Sequence, residues 1–177
     1  MAEAGYIFKT NFSLYMTTLK ETSLDNHDNT KQPEYLCKNT TEQVYNFDNI
    51  VKDHYPTKQP SSFDALLIKG NNIYCIEFKN TKYSDVNNQE VQKKLSNSQD
   101  IIDDIFKKYN IKKSNYKFIF CVIYKNHEAK WRRGINKNIV QFDLEQYKGK
   151  YYDYIYTNDV QFFTHEYKKQ FKKELAC

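Results

Sequence analysis

Two apolar runs joined by four polar residues constrain the fold of this chain more than any other feature of its sequence. The runs cover residues 63–68 and 73–78, and Lys69, Gly70, Asn71 and Asn72 separate them. Short apolar runs around a Gly-Asn pair are typical of a β-hairpin. Because residues 65–68 are apolar at every position, we expect both faces of the first strand to be buried. The sequence therefore predicts a hairpin near the centre of a sheet.

Helical and strand patterns surround the hairpin. Apolar residues at helical spacing predict one helix over residues 41–53, capped by Asn39 or Thr40, and a long helix from Ser84 or Asp85 to Asn110. The long helix has the buried face Val91, Leu95, Ile102, Ile105 and Tyr109 and the polar face Lys93, Lys94, Asp100 and Asp103. Residues 116–124, 139–144 and 151–156 read as strands and residues 161–175 as a helix, whereas 21–38 read as a loop. This order predicts an α/β fold with helices covering a sheet.

The length of 177 residues suits a single domain. Within it we distinguish an N-terminal segment over residues 1–40 whose structure the pattern does not define. An αββαβ core follows over residues 41–124, and strands and a helix follow over residues 125–177.

The composition narrows the functional classes. Twenty-seven Lys and Arg against 22 Asp and Glu give a formal charge of +5, which permits a polyanionic partner. The longest apolar run, residues 118–124, is too short to span a membrane, and the N-terminus lacks the pattern of a signal peptide. We therefore expect a cytoplasmic or otherwise intracellular protein with no membrane partner.

The cysteines and histidines favour no zinc site. Cys37, Cys75, Cys121 and Cys177 are far apart in the sequence, and the four histidines form no close cluster. We expect four reduced thiols, although two disulfides in a secreted chain remain an alternative.

The hairpin also carries the strongest chemical signal. Side chains alternate across a strand, so Glu77 and Lys79 point to the same face. If Gly70 and Asn71 form the turn, opposed residues have numbers that sum to 141, which places Asp64 opposite Glu77. Two facing carboxylates repel each other, and Mg²⁺ or Mn²⁺ would offset that repulsion through hard oxygen ligands. A register slip of one residue is the alternative, in which the carboxylates form no site.

These residues resemble the PD-(D/E)xK nuclease superfamily, which includes restriction endonucleases, Holliday-junction resolvases, repair nucleases and viral endonucleases. In that family an acidic helix precedes a hairpin with Asp on one strand and Glu-x-Lys on the next, and a helix and a strand follow. Residues 42–124 have this order, with Phe63-Asp64 and Glu77-Phe78-Lys79 as the motif. Phe63 replaces a proline that is common in the family and absent from many members.

The resemblance implies a restriction-endonuclease-like mixed β-sheet flanked by helices. It also implies a metal ion bound by Asp64, Glu77 and the backbone carbonyl of Phe78, with Lys79 placing the attacking water. The first helix supplies a further acid in many members, and Glu42 and Asp48 are the candidates, with Glu42 the one we include among the metal ligands.

Basic residues give a second indication of function. Lys130, Trp131, Arg132 and Arg133 could grip a phosphate backbone and stack on a base, or could form an exposed basic turn. Lys168, Lys169, Lys172 and Lys173 make a basic face on the last helix, for which a solvated surface is the simpler interpretation.

We therefore expect a metal-dependent endonuclease that acts on nucleic acid, with DNA favoured over RNA by the membership of the family. A symmetric homodimer is one form that such an enzyme could take. The alternative is a noncatalytic nucleic-acid-binding or interaction protein that retains the nuclease fold, and a toxin or its antagonist would differ only in biological context.

Overall fold

A six-stranded mixed sheet forms the centre of the computed structural model, which describes residues 3–25, 34–125 and 139–163. The strands are β1 (Met16–Thr18), β2 (Leu24–Asp25), β3 (Glu34–Tyr35), β4 (Gln43–Asn46), β5 (Ala65–Lys69), β6 (Asn72–Lys82), β7 (Lys117–Lys125) and β8 (Tyr154–Asp159). The helices are α1 (Ala4–Asn11), α2 (Leu19–Thr22), α3 (Phe47–His54) and α4 (Asn88–Lys108). The main sheet has the order β1-β4-β5-β6-β7-β8, and β2 pairs with β3 separately.

The sheet changes from antiparallel to parallel at β6. Strands β1, β4, β5 and β6 pair antiparallel, whereas β6, β7 and β8 pair parallel. The long helix α4 connects β6 to β7, as a parallel connection requires. The chain is therefore a mixed α/β protein with helices against its sheet, as predicted.

Two apolar clusters cover the two faces of the sheet. Helices α1, α3 and α4 pack on one face, where Phe63, Cys75 and Phe120 lie in the same cluster as Leu95 of α4. The opposite face packs against the segment around Leu19, Leu36 and Cys37 and against Val160 and Phe163. The central strands are consequently buried on both sides, which is the reason that their sequences do not alternate between apolar and polar residues.

The hairpin prediction is confirmed with its register. The paired residues run from Ala65 opposite Ile76 to Lys69 opposite Asn72, so every pair sums to 141. Gly70 has a φ of 56°, whereas Asn71 has no positive φ, as expected for a two-residue loop with glycine in the first central position. The register slip that the sequence left open does not occur.

The helix predicted over residues 41–53 is wrong in its first half. Residues Gln43–Asn46 form β4, and α3 begins at Phe47 with Asn46 as its N-cap, which accepts a hydrogen bond of 2.9 Å from the N–H of Asn49. Val44 matches the helical spacing of Phe47 in the sequence, but it packs on the opposite face of the sheet. Asn39 and Thr40 therefore cap no helix here.

The other predicted elements have mixed outcomes. The long helix and the strand over residues 116–124 are confirmed as α4 and β7, with α4 capped by Asn87 instead of Ser84 or Asp85. The strand predicted over residues 151–156 corresponds to β8, which begins three residues later and ends at Asp159. Residues 139–144 are not a strand, because Phe142 and Asp143 have φ values of 62° and 56° and turn the chain.

The terminal segments were less well defined by the sequence. The loop predicted over residues 21–38 contains β2, β3 and the end of α2, and the undefined N-terminal segment contains α1 and β1. Most of the helix predicted over residues 161–175 lies outside the described residues. Within the described ranges, no helix combines the length and the apolar character needed to cross a bilayer.

The cysteines differ from the expectation of four reduced thiols. Cys75 and Cys121 are free and buried, as predicted for thiols on central strands. Cys37 is disulfide-bonded, so the expectation is wrong for this residue.

Candidate active site

Asp64, Glu77 and Lys79 come together at one end of the β5–β6 hairpin. Glu77 lies on the same side of β6 as Ile73 and Cys75, and this is the face that α4 covers. The carboxylate of Glu77 is fully buried, whereas the side chains of Asp64 and Lys79 are 18% and 14% exposed. The structure therefore brings together the three side chains that the sequence singled out, below the N-terminal part of α4.

Backbone hydrogen bonds fix Asp64 beside Glu77. Asp64 directly precedes β5, and its N–H donates to the carbonyl of Ile76 over 3.0 Å. Its Oδ2 accepts a hydrogen bond of 2.6 Å from the N–H of Phe78. The residue thus bonds to β6 on both sides of Glu77, which keeps the two carboxylates close without a pairing of the two residues in the ladder.

Aromatic packing holds the segment before Asp64. Phe63 is buried, stacks on Phe47 at a centroid distance of 4.2 Å and meets Phe120 edge-on. Its N–H donates to the Oγ of Ser98 on α4 over 3.0 Å. Phe63 is thus an aromatic anchor for the residue that directly precedes Asp64.

Lys94 of α4 is a fourth charged residue of the site. Its Nζ lies 2.9 Å from Glu77 Oε1, 3.1 Å from Glu77 Oε2 and 3.6 Å from Asp64 Oδ1. Helical spacing in the sequence predicts Lys94 on the polar face of the long helix, but its side chain is only 19% exposed. It lies three residues after the buried Val91 and directly before the buried Leu95. This position at the edge of the apolar stripe is the one signal in the sequence that the side chain of Lys94 could be partly buried.

Lys79 bridges β6 and α4. Its Nζ lies 3.1 Å from Glu77 Oε1 and 2.5 Å from Glu90 Oε1 at the mouth of the site. Burial lowers the pKa of Lys79, but the negative charges of Glu77 and Glu90 outweigh this effect, so the pKa is raised. Lys79 is therefore a charged ammonium group at neutral pH.

The two carboxylates carry raised pKa values. Burial raises the pKa of Asp64 well above its ordinary value, and the nearby charge of Glu77 raises it further. Burial also raises the pKa of Glu77, although the ammonium groups of Lys94 and Lys79 oppose this. Among the described residues, Glu77 Oε1 receives no hydrogen bond of acceptable geometry, despite the two ammonium groups nearby. This buried oxygen is instead balanced by ion pairs with Lys94 Nζ at 2.9 Å and Lys79 Nζ at 3.1 Å.

Of the two acids proposed for the first helix, only Asp48 lies near the site. Asp48 accepts a short hydrogen bond from the hydroxyl of Ser62. Burial raises its pKa, and the charges of Lys94 and Lys79 oppose the increase, which shows that it lies in the same electrostatic environment.

Glu42 is not part of this cluster. Its Oε1 pairs with Lys69 Nζ at 2.5 Å, next to the hairpin turn. Because Lys69 lies five residues along the strand from Asp64, the separation is about 16 Å at the usual rise per strand residue. The structure therefore does not bring Glu42 to Asp64 and Glu77, and the residue directly precedes β4 and lies in no helix.

A cleft of about 430 Å³ opens onto these side chains. Asp64, Glu77, Lys79 and Lys94 line its floor, and residues 22–25 of the N-terminal segment form the opposite wall. The side-chain amide of Asn80 donates to the carbonyls of Ser23 and Glu34 and thereby ties this wall to β6. The four charged side chains thus face an open cleft.

The donor set is compatible with a divalent cation. Asp64 and Glu77 supply hard carboxylate oxygens, and Mg²⁺ is usually held by one or two carboxylates together with water and substrate oxygens. Within the part of the chain that is described, no three His, Cys, Asp or Glu side chains are grouped so as to hold a metal. The fit is therefore that of a site with two carboxylates, in which the backbone carbonyl of Phe78 would be the third protein ligand.

Lys130, Trp131, Arg132 and Arg133 lie outside the described residues, as do the lysines of the last predicted helix.

Comparisons of the chain with protein-family models, with curated proteins and with solved structures found no match.

Proposed function

We propose that this chain is a Mg²⁺- or Mn²⁺-dependent endonuclease of the PD-(D/E)xK type, with a restriction-endonuclease-like fold, that hydrolyses phosphodiester bonds. One observation carries the proposal: Asp64 and Glu77 converge at the floor of an open cleft, with the Lys79 ammonium group 3.1 Å from Glu77. Two buried like charges are costly unless a cation accompanies them. Their position in a cleft and not in the core favours a catalytic role over a structural one.

The order of elements around the site supports the same proposal. A hairpin bears the Asp and the Glu-x-Lys residues, a helix then covers the site, and a parallel strand follows next to β6. This is the arrangement that the resemblance to the nuclease superfamily implies. Many members of that superfamily carry a further acid on the helix before the hairpin. In this chain Asp48 of α3 would have that role, in place of Glu42.

The residues have separate roles in the proposed reaction. Asp64, Glu77 and the carbonyl of Phe78 would hold the metal, which supplies Lewis-acid activation of the phosphate and of the water that attacks it. Attack on phosphorus would form a P–O bond to the water oxygen and break the bond to the leaving oxygen, with the proton of the attacking water released to solvent in the open cleft and the leaving oxygen protonated from solvent. The charged Lys79 would orient the water by hydrogen bonding and compensate charge on the phosphoryl oxygens.

The proposed substrate is nucleic acid, with DNA to be tested before RNA. The formal charge of +5 favours a polyanion, and residues 130–133 offer three cationic side chains and one aromatic side chain for backbone and base contacts. The proposed enzyme could act as a homodimer, and light scattering with and without substrate tests this form.

Cleavage assays test the proposal directly. Supercoiled plasmid, linear DNA and single-stranded RNA are incubated with the protein and Mn²⁺, beside Asp64→Ala and Lys79→Ala prepared identically. Cleavage of one substrate class by the wild type and its loss in both variants is the expected result. Equal cleavage by wild type and variants would show a contaminating nuclease and remove the proposal.

A noncatalytic protein of the same fold is the second candidate. The observation in its favour is that Lys79 and Lys94 already pair with Glu77, so the two carboxylates have two intramolecular counter-charges. Such a protein would bind nucleic acid without metal. The melting temperature separates the candidates, because a true metal site raises it as Mn²⁺ increases and loses this response in Glu77→Ala.

A further inference from the structure

We propose that Lys94 is a tethered competitor of the divalent cation: its ammonium group occupies the cation position between Asp64 and Glu77 and must leave when a metal binds. The inference rests on the proposed function, since it concerns the same pair of carboxylates. It assigns a role to a residue that lies outside the Asp64, Glu77 and Lys79 motif.

The distances place the ammonium group where a bridging cation would lie. Lys94 Nζ is within 3.1 Å of both oxygens of Glu77 and 3.6 Å from Asp64 Oδ1. A Mg²⁺ ion binds carboxylate oxygens at about 2.1 Å. An ion that contacts Asp64 and Glu77 together would therefore overlap the volume around Nζ, and two cations cannot share it.

Burial makes the competition strong. Glu77 has no exposed surface while Lys79 and Lys94 lie beside it, so loss of an ammonium partner would leave its charge poorly compensated. Either an ammonium group or a metal ion must accompany the pair. Lys79 does not fill this place alone, because its Nζ also pairs with Glu90 on the solvent side and approaches only one oxygen of Glu77.

The fixed backbone of α4 and the long side chain of Lys94 allow a metal ion to replace the ammonium group. Helix α4 is held in the core by Val91 and Leu95, so the backbone of Lys94 stays in place. The lysine side chain has four rotatable carbons and lines the open cleft, so its charged end can swing toward solvent. The displaced ammonium group would remain within the cleft, where a phosphate group of the substrate would be its next partner.

Titration of the metal-free protein with Mn²⁺ at pH 7.5 tests the inference. The proteins are the wild type, Lys94→Met, Asp64→Asn and the matched control Lys93→Met, which removes the same charge from the adjacent exposed position. We expect Lys94→Met to bind Mn²⁺ at least tenfold more tightly than the wild type. Lys93→Met should stay within about twofold of the wild type, since charges separated by solvent are screened. Asp64→Asn should not bind.

The outcomes separate the two proposals. Wild-type or weaker affinity in Lys94→Met, while the wild type and Lys93→Met bind Mn²⁺, overturns the inference and leaves the metal site intact. Absence of Mn²⁺ binding in every protein overturns the proposed function and the inference together. Binding by Lys94→Met alone supports the inference and identifies Lys94 as the barrier to metal binding.

A second measurement does not depend on the folding of a variant. Addition of Mg²⁺ to the wild type should shift the ¹⁵Nζ and side-chain proton resonances of Lys94, because its ion pairs with Glu77 break. Resonances of Lys94 that stay unchanged while Mg²⁺ binds would overturn the inference.

Discussion

Asp64 Oδ2 accepts a hydrogen bond of 2.6 Å from the backbone N–H of Phe78, so one carboxylate is attached to the strand that carries the other. This bond lowers the pKa of Asp64, but burial and the charge of Glu77 raise it more strongly. The metal-free protein therefore holds a repulsive pair in place by main-chain bonding. Repulsion between Asp64 and Glu77 should affect the stability of the fold as well as the binding of a cation.

The first prediction concerns the pH dependence of stability in Asp64→Asn. A carboxyl whose folded pKa exceeds its unfolded pKa favours folding at low pH and loses that contribution as pH rises through the folded pKa. The stability of the variant relative to the wild type should therefore increase between pH 4 and pH 8. We expect a gain of about 1 kcal/mol or more, since one pKa unit corresponds to about 1.4 kcal/mol.

Urea denaturation without metal at several pH values measures this difference. The matched control is Asp85→Asn, which neutralises an exposed carboxylate at the rim of the cleft. A difference between Asp64→Asn and wild type that does not change with pH would contradict the raised pKa of Asp64.

The second prediction concerns Lys79. Because its pKa is raised, Lys79 would act in the proposed reaction as a cation that orients water and not as a neutral base. Lys79→Ala should lower the cleavage rate by about 100-fold or more, which is the usual range for the loss of a positioned proton-transfer or orienting group. The metal ligands remain, so the increase of the melting temperature with Mn²⁺ should persist.

Glu90→Gln is the matched control for Lys79. It removes the partner at 2.5 Å from Lys79 Nζ but leaves Glu77 in contact. Because Glu90 is half exposed, we expect a stability change of about 1 kcal/mol at most. If Glu90→Gln reduces cleavage as severely as Lys79→Ala, then Lys79 acts through this ion pair and not at the reacting phosphate.

The hairpin was predictable because its signals are local. The Gly70-Asn71 turn and the apolar runs on either side determine the register within a few residues, and from it the closeness of Asp64 and Glu77 follows. The break between β4 and α3 was not predictable from apolar spacing alone. Val44 and Phe47 have helical spacing in the sequence, and only the packing of the two faces of the sheet separates them.

Lys94 shows the corresponding limit for the site. A lysine at the border of an apolar helical stripe is usually solvated, and this border position alone does not indicate that Lys94 contacts the two carboxylates that the hairpin predicts. The contact arises from the position of α4 over β6, which is a tertiary relationship. Asp48 differs from Lys94, because the sequence names it as one of two candidate acids, and the packing of α3 beside Ser62 is what favours it over Glu42.

The third prediction compares the two acids of the segment before the hairpin. Asp48→Asn should weaken Mn²⁺ binding by about tenfold, since one nearby negative charge typically contributes about 1.4 kcal/mol to a partly buried cation site. Glu42→Gln should leave Mn²⁺ binding unchanged, because its partner Lys69 lies at the other end of β5. Calorimetric titration of both variants measures the two affinities. Equal weakening in both would mean that charge acts at long range and not through the local cluster.

The fourth prediction concerns the packing that positions Asp64. Phe63→Ala should destabilise the fold by about 3–5 kcal/mol, the range for loss of a buried aromatic ring. The exposed Leu14, at 94% relative exposure, provides the control Leu14→Ala, for which we expect a change within about 0.5 kcal/mol. Thermal and urea denaturation measure both variants.

Ser98→Ala removes the hydrogen bond to the N–H of Phe63 but keeps the Phe63 ring. It therefore tests whether this hydrogen bond positions Asp64, apart from the packing of the ring. The variant leaves the buried N–H of Phe63 without its acceptor, which should cost about 1–3 kcal/mol. Phe63 directly precedes Asp64, so movement of this N–H should displace the carboxylate as well. We therefore expect the Mn²⁺ affinity of folded Ser98→Ala to fall, although Ser98 touches neither carboxylate in the described structure. Unchanged affinity at reduced stability would mean that the bond from Asp64 to Phe78 positions the carboxylate without help from α4.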